Sequence, residues 1–123
     1  MSEYPLNLVL ILKVNNFKSY AINNLYDFYQ KFMSILVISP CPESTVEELG
    51  INNWPIWTCD TNSFDWTYDD KETCLLLEGE VTVTPEKGQP VKFGAGDLVI
   101  FPAGMNCRWD VHKAVRKHYR FGE

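Results

Sequence analysis

Between Trp54 and Phe121 the chain never runs far without a glycine, a proline or a polar turn. Runs of β-branched and aromatic residues alternate with this punctuation about every ten residues. The runs are Trp54–Cys59, Phe64–Tyr68, Thr73–Glu78, Val81–Thr84, Val91–Phe93, Leu98–Phe101, Cys107–His112 and Ala114–Phe121. The punctuation is Asp69–Asp70, Gly79, Pro85–Pro90, Gly94–Asp97 and Pro102–Asn106. Each run is too short for a helix, and Gly or Pro recurs too often. Eight short antiparallel strands in ~70 residues predict a closed barrel or jelly-roll sandwich. With 123 residues in all, there is room for one core. No repeat of longer period is visible.

The first part of the chain has a different texture. Leu6–Val14 reads as a strand, too short to span a bilayer and interrupted by Asn7 and Lys13. From about Ala21 to Ile38, apolar residues recur at helical spacing, through Ile22, Leu25, Tyr26, Tyr29, Phe32, Met33 and Leu36. Such a stripe needs a surface to cover, either the remaining domain or a second subunit. Pro40 and Pro42 end the segment.

Charge narrows the partners. Lys13, Lys18 and Lys31 balance Glu3, Asp27 and Glu43, so the whole formal charge of −5 falls beyond residue 45. That favours a small-molecule or protein partner over nucleic acid. Nor does the helical stripe carry the basic face of a membrane-surface helix. The four cysteines, Cys41, Cys59, Cys74 and Cys107, form no C-x-x-C pair and lack the density of a disulfide scaffold. The N-terminus shows no basic stretch leading into a signal-type apolar run. A cytoplasmic protein with free thiols is the expectation.

Two glycine-centred patterns lie in order along the β part. Glu72 precedes Gly79 as E-x6-G, and GAGDLVIFPAGMNC carries G-x5-P-x-G from Gly96 to Gly104, followed by Cys107. Gly94 and Gly96 allow positive φ at one turn, and Pro102 with Gly104 closes the next bend. These patterns resemble the paired motifs of the RmlC-like cupin superfamily. With WPIW, FDWTYDDKETCLLLEGEVTVT and VRKHY, the chain resembles small single-domain cupins grouped with ureidoglycine aminohydrolase and the ethanolamine-utilisation protein EutQ. The resemblance covers about residues 45–121. It implies an all-β fold: a single cupin-type antiparallel β-barrel (jelly roll) over 45–123, with a strand-plus-helix extension over 1–44. It also implies a homodimer, which the uncovered apolar helix fits.

Metal-binding cupins hold an ion with two His, a Glu and a third His. On this chain the resemblance places those positions at Trp66, Tyr68, Glu72 and Cys107, with Val111 in place of an Asn. Glu72 and Cys107 give two donors, with Tyr68 a weak third, and a first-row ion needs several good donors at once. No metal cofactor is therefore expected. A rearranged set of Glu72, Cys107 and His118 is the alternative.

Strand alternation sorts the interior. Trp66 and Tyr68 share a face, as do Glu72 and Cys74, and Cys107 and Trp109. The expected cavity holds these six side chains and binds a small-molecule ligand. Burial among aromatic rings disfavours the charged form of a carboxyl, which suits Glu72 to general acid or base work. A structural hydrogen bond within the hairpin is the other reading. Cys107 is a nucleophile only if Lys117 or His118 activates it, and otherwise an inert or ligand-contacting thiol. Lys117 and Tyr119 share one face of the last strand, while Arg116, His118 and Arg120 share the other. His118, a ligand-binding candidate, needs the sheet to set its direction. His112 lies opposite Cys107. Trp54 and Trp57 read as packing, with a stacking platform as the alternative.

Two functions follow. One is an enzyme like the ureidoglycine aminohydrolase group, acting on a small polar metabolite, nitrogen-containing or carboxylated. Glu72 would be its acid/base, with Tyr68, Cys107 and Lys117 placing the substrate. The other is a non-catalytic ligand-binding, sensing or structural cupin dimer.

Overall fold

The computed structural model describes residues 10–14, 18–22 and 34–122. The chain divides into two compact units, Met1–Ser34 and Ile35–Glu123. In the first, β1 (Leu10–Val14) and β2 (Lys18–Ile22) pair antiparallel, with the backbone of Leu12 in register with that of Tyr20. Residues 6–9 of the expected first strand lie outside the described residues.

The expected helix over 21–38 is replaced by strand at both ends. Ala21 and Ile22 belong to β2, and Leu36–Ile38 forms β3. Leu36-Val37-Ile38 is rich in β-branched residues, and its backbone bonds to Leu98–Ile100 across a sheet. The middle of that helix, residues 23–33, lies outside the described residues. The compact β unit begins at Ile35, so residues 35–44 join the barrel rather than the extension.

The second unit continues with α1 (Glu43–Leu49), a 3₁₀ turn (Ile51–Asn53), β4 (Ile56–Cys59) and β5 (Asn62–Thr67). Then come β6 (Glu72–Pro85), β7 (Val91–Gly94), β8 (Leu98–Phe101) and β9 (Asn106–Phe121). Two of these strands are long. β6 pairs with β8 through Glu72–Leu75 and with β7 through Glu80–Val83. β9 pairs with β5 through its first half and with β4 through its second. Together β6 and β9 run through the second unit, tying a β3-β8-β6-β9-β4 half to a β7-β6-β9-β5 half. All pairings are antiparallel, and the two halves form the jelly roll.

The runs expected as separate strands, 73–78 with 81–84 and 107–112 with 114–121, are therefore single strands. Gly79 is a kink within β6, not a turn. The β6–β9 register slips between Leu76 and Val81, where the ladder bends. Gly79 has φ +119°, and a Cβ there would lie 2.8 Å from Val115 Cγ2 and 2.9 Å from the Ala114 carbonyl oxygen. Only glycine fits this corner. Gly96 has the expected positive φ, +91°. Gly94 does not. It is needed because a Cβ would meet the Gly79 carbonyl at 2.9 Å.

The inner faces of both halves meet in one core around Leu76, Val83, Phe93, Val99, Phe101 and Trp109. A second cluster forms on the other side of the first half. There Val46 of α1 and Ile51 cover Leu75 and Leu98. Among the described residues, no helix is long and apolar enough to cross a membrane.

Candidate functional site

The cross-strand register stacks inward side chains in rungs. Trp57 lies opposite Lys117, and Lys117 opposite Leu76. The next rung sets Tyr119 against Cys74, and the next Phe121 against Glu72. On the second half, Phe64 pairs with Trp109, and Trp66 with Cys107. One end of this interior is open as a cavity of about 180 Å³. β4 and β5 contribute Trp57, Phe64 and Trp66 to its wall, with Tyr68 just beyond. β9 contributes Trp109, Lys117, Tyr119 and Phe121, and β6 contributes Glu72.

The rings pack edge-on and face-on. Phe64 stacks on Trp109 with centroids 5.9 Å apart, and Trp57 meets Trp109 edge-to-face at 6.1 Å. Tyr68 stacks on Phe101 at 4.7 Å. Trp66 and Phe121 stand at the mouth, 46% and 47% exposed. Deeper in, Lys117 Nζ lies 2.7 Å from Glu72 Oε2, with both side chains buried. The ammonium also sits 4.7 Å from the ring centres of both Trp57 and Trp109. A carboxylate and two indole faces thus surround it.

The structure brings Glu72, Lys117, Trp66, Tyr68 and Trp109 together at this cavity. Cys74 and Cys107 are buried in the adjoining core and do not line it. Burial pushes the Cys74 thiol up to about 12, with Lys117 opposing and Glu72 adding. Burial, with Glu72, likewise pushes Cys107 up to about 11. The Cys107 sulfur donates to the Trp66 carbonyl oxygen at 3.6 Å. The expected activators bond elsewhere, Lys117 to Glu72 and His118 to the Trp54 carbonyl. Burial, and then the neighbouring charge of Glu72, raise the Tyr68 hydroxyl far above its ordinary value.

His118 stands apart from the cavity. Its Nδ1 donates to the Trp54 carbonyl at 2.8 Å. Since Lys117 and Tyr119 point inward, alternation turns His118 to the other face. Arg120 shares that face, its guanidinium 4.5 Å from the Trp54 ring centre. Trp54 packs with the second cluster. His112 is exposed and meets Thr82 Oγ1 at 2.9 Å. Phe64 and Phe121 were not singled out from the sequence, although alternation places them beside Trp66 and Tyr119. Trp57, read there as packing, is a wall of the cavity.

The donor set does not fit a divalent ion. Among the described residues, no group of three His, Cys, Asp or Glu side chains could hold one. The Glu72 carboxylate already faces a side-chain cation, and His118 is turned away from Glu72 and Cys107.

A jelly roll with these motifs, enclosing a pocket at one end of its interior, defines a cupin. Residues 46–119 match the EutQ-like cupin domain, and the chain belongs to that family. It is 45% identical to a DUF861 family protein of Thermotoga maritima, over 72% of this chain and 99% of that one, with a TM-score of 0.68. A putative ethanolamine utilization protein Q of Salmonella typhimurium shares the fold at 18% identity, over 94% of each chain, with a TM-score of 0.51. The Clostridium difficile EutQ protein shares it at 22% identity and a TM-score of 0.50, over 55% of this chain and 52% of that one. No curated protein matches the chain.

Proposed function

We propose that this cupin binds a small polar metabolite, nitrogen-containing or carboxylated, inside its barrel without a metal ion. The observation that carries this reading is the buried Glu72–Lys117 pair lining an otherwise aromatic cavity. Aromatic walls supply contact area, and a few polar groups fix orientation, as in small-ligand sites generally. Screening the chain against small metabolites by thermal shift tests it. A true ligand raises Tm by mass action and perturbs tryptophan fluorescence, since Trp57, Trp66 and Trp109 all line the cavity. Failure of every such metabolite to do either defeats the proposal.

A second reading is an enzyme like the ureidoglycine aminohydrolase group. Glu72 in the cavity wall beside Tyr68 favours it, because a carboxyl group at a pocket surface can move a proton to or from a substrate. Lys117 would then position the substrate, and Cys107 would only pack beside it. Mass spectrometry of each ligand after incubation separates the readings. A new product supports the enzyme, and unchanged ligand supports binding alone.

A homodimer in the cytoplasm completes the proposal. Exposed Ile56, Trp66 and Phe121 support an interface, and four free thiols support a reducing compartment. Light scattering on the purified chain decides the oligomeric state.

A further inference from the structure

The cavity lining carries one formal anion and one formal cation, Glu72 and Lys117, side by side. The rest of the lining is uncharged aromatic surface. The neighbouring ionisable groups Tyr68, Cys74 and Cys107 are all held in their neutral forms by burial. The site is thus electrically balanced. A ligand with net charge would enter without a counter-charge, and burying an unpaired ion is costly. A neutral ligand avoids that cost and can still be read. An ammonium has three N–H donors, and Glu72 Oε2 takes one of them. The carboxylate keeps acceptor capacity on its second oxygen. A donor beside an acceptor is the complement of the carbonyl and N–H on one edge of an amide.

Building on the barrel-binding reading above, we infer that the Glu72–Lys117 pair selects uncharged, planar ligands of the amide or urea type. Lys117 donates to the carbonyl oxygen, and Glu72 accepts from the N–H. The aromatic walls hold the remainder. An apolar cavity of roughly 150 Å³ takes up benzene. The 180 Å³ here therefore admits one ring or short chain together with its amide group.

Titration calorimetry of the full chain against benzamide, benzoate and benzylammonium tests the inference, since the three share a shape and differ in charge. The expected result is benzamide binding at least about tenfold tighter than either ion. Equal or tighter binding of an ion overturns the inference and leaves the barrel-binding function standing. Should none of the three bind, the charge of the metabolites found by thermal shift decides, and the absence of any ligand overturns both. Two variants add an independent readout. Glu72→Gln leaves Lys117 unbalanced and should shift preference to benzoate. Lys117→Gln leaves Glu72 unbalanced and should shift it to benzylammonium. An unchanged ranking in folded variants overturns the inference, and if neither variant folds the wild-type ranking decides alone.

Discussion

Lys117 reaches past the rung held by Cys74 and Tyr119 to set its Nζ 2.7 Å from Glu72 Oε2, two rungs away. The span needs a long side chain on β9 and a small one between. Cys74, fully buried, is that small one.

Breaking this pair by removing one partner leaves the other as an uncompensated buried charge. Lys117→Met is expected to lose about 3–5 kcal/mol of unfolding free energy, and Glu72→Leu a similar amount. The double variant should lose much less than the sum of the two. Urea unfolding of the four proteins closes the cycle. Strictly additive losses would mean that the two groups do not interact.

Enlarging the side chain beneath the lysine should also be visible. Cys74→Leu adds bulk at a fully buried site and should cost about 1–3 kcal/mol through overpacking. It should also weaken any pocket ligand by displacing the ammonium. A stable variant with unchanged ligand affinity would show that the passage over Cys74 is not needed.

The thiols set an alkaline limit. Cys74 and Cys107 are raised from 9.0 to about 12 and about 11 in the folded chain. Below pH 9 both are protonated whether the chain is folded or not, so they add no pH dependence. Above pH 9 the unfolded chain loses these protons first, and folding stability falls until the folded thiols ionise. Unfolding free energy measured across that window should decline, and a Cys74→Ala, Cys107→Ala variant should decline less steeply. At neutral pH, a thiol reagent should leave both unmodified in the native protein.

Glycine positions should separate by what surrounds them. Gly79→Ala drives a methyl into Val115 and the Ala114 backbone at an already positive φ. The φ strain alone is about 1–3 kcal/mol, and the collision adds to it. Gly104→Ala, with positive φ but open space, should suffer only the strain. Equal Tm losses in the two variants would dismiss the close approach of β6 and β9 as the reason for Gly79.

Two of the three tryptophans of the cavity should behave oppositely. Trp109 is 2% exposed, and its replacement by Ala should cost about 3–5 kcal/mol. Trp66 is 46% exposed, and its replacement should change stability by about 0.5 kcal/mol or less while weakening ligand binding. Thermal shift with and without ligand measures both effects.

Much of the β architecture can be read from the alternation of apolar runs with Gly and Pro. What misleads is that one residue type serves two purposes. Gly79 looks like a turn because both a turn and a bulge use its conformational freedom, and only the partner strand distinguishes them. Period-two alternation also sorts Lys117 and Tyr119 from His118, but it cannot say which face is the interior. The ion pair is beyond any local pattern, since Glu72 and Lys117 lie on different strands and meet through the β6–β9 register. The strands at Ala21–Ile22 and Leu36–Ile38 carry spacing that also suits a helix, so periodicity alone misassigns them.

β9 supplies Trp109, Lys117, Tyr119 and Phe121 to the cavity while bonding to three other strands. Cavity wall and scaffold are thus written on the same sixteen residues. A molecule seated against this strand also braces the ladder on which both halves of the barrel hang. Drift in the chemistry of the cavity is correspondingly constrained, because most exchanges of a wall residue are also exchanges in the spine.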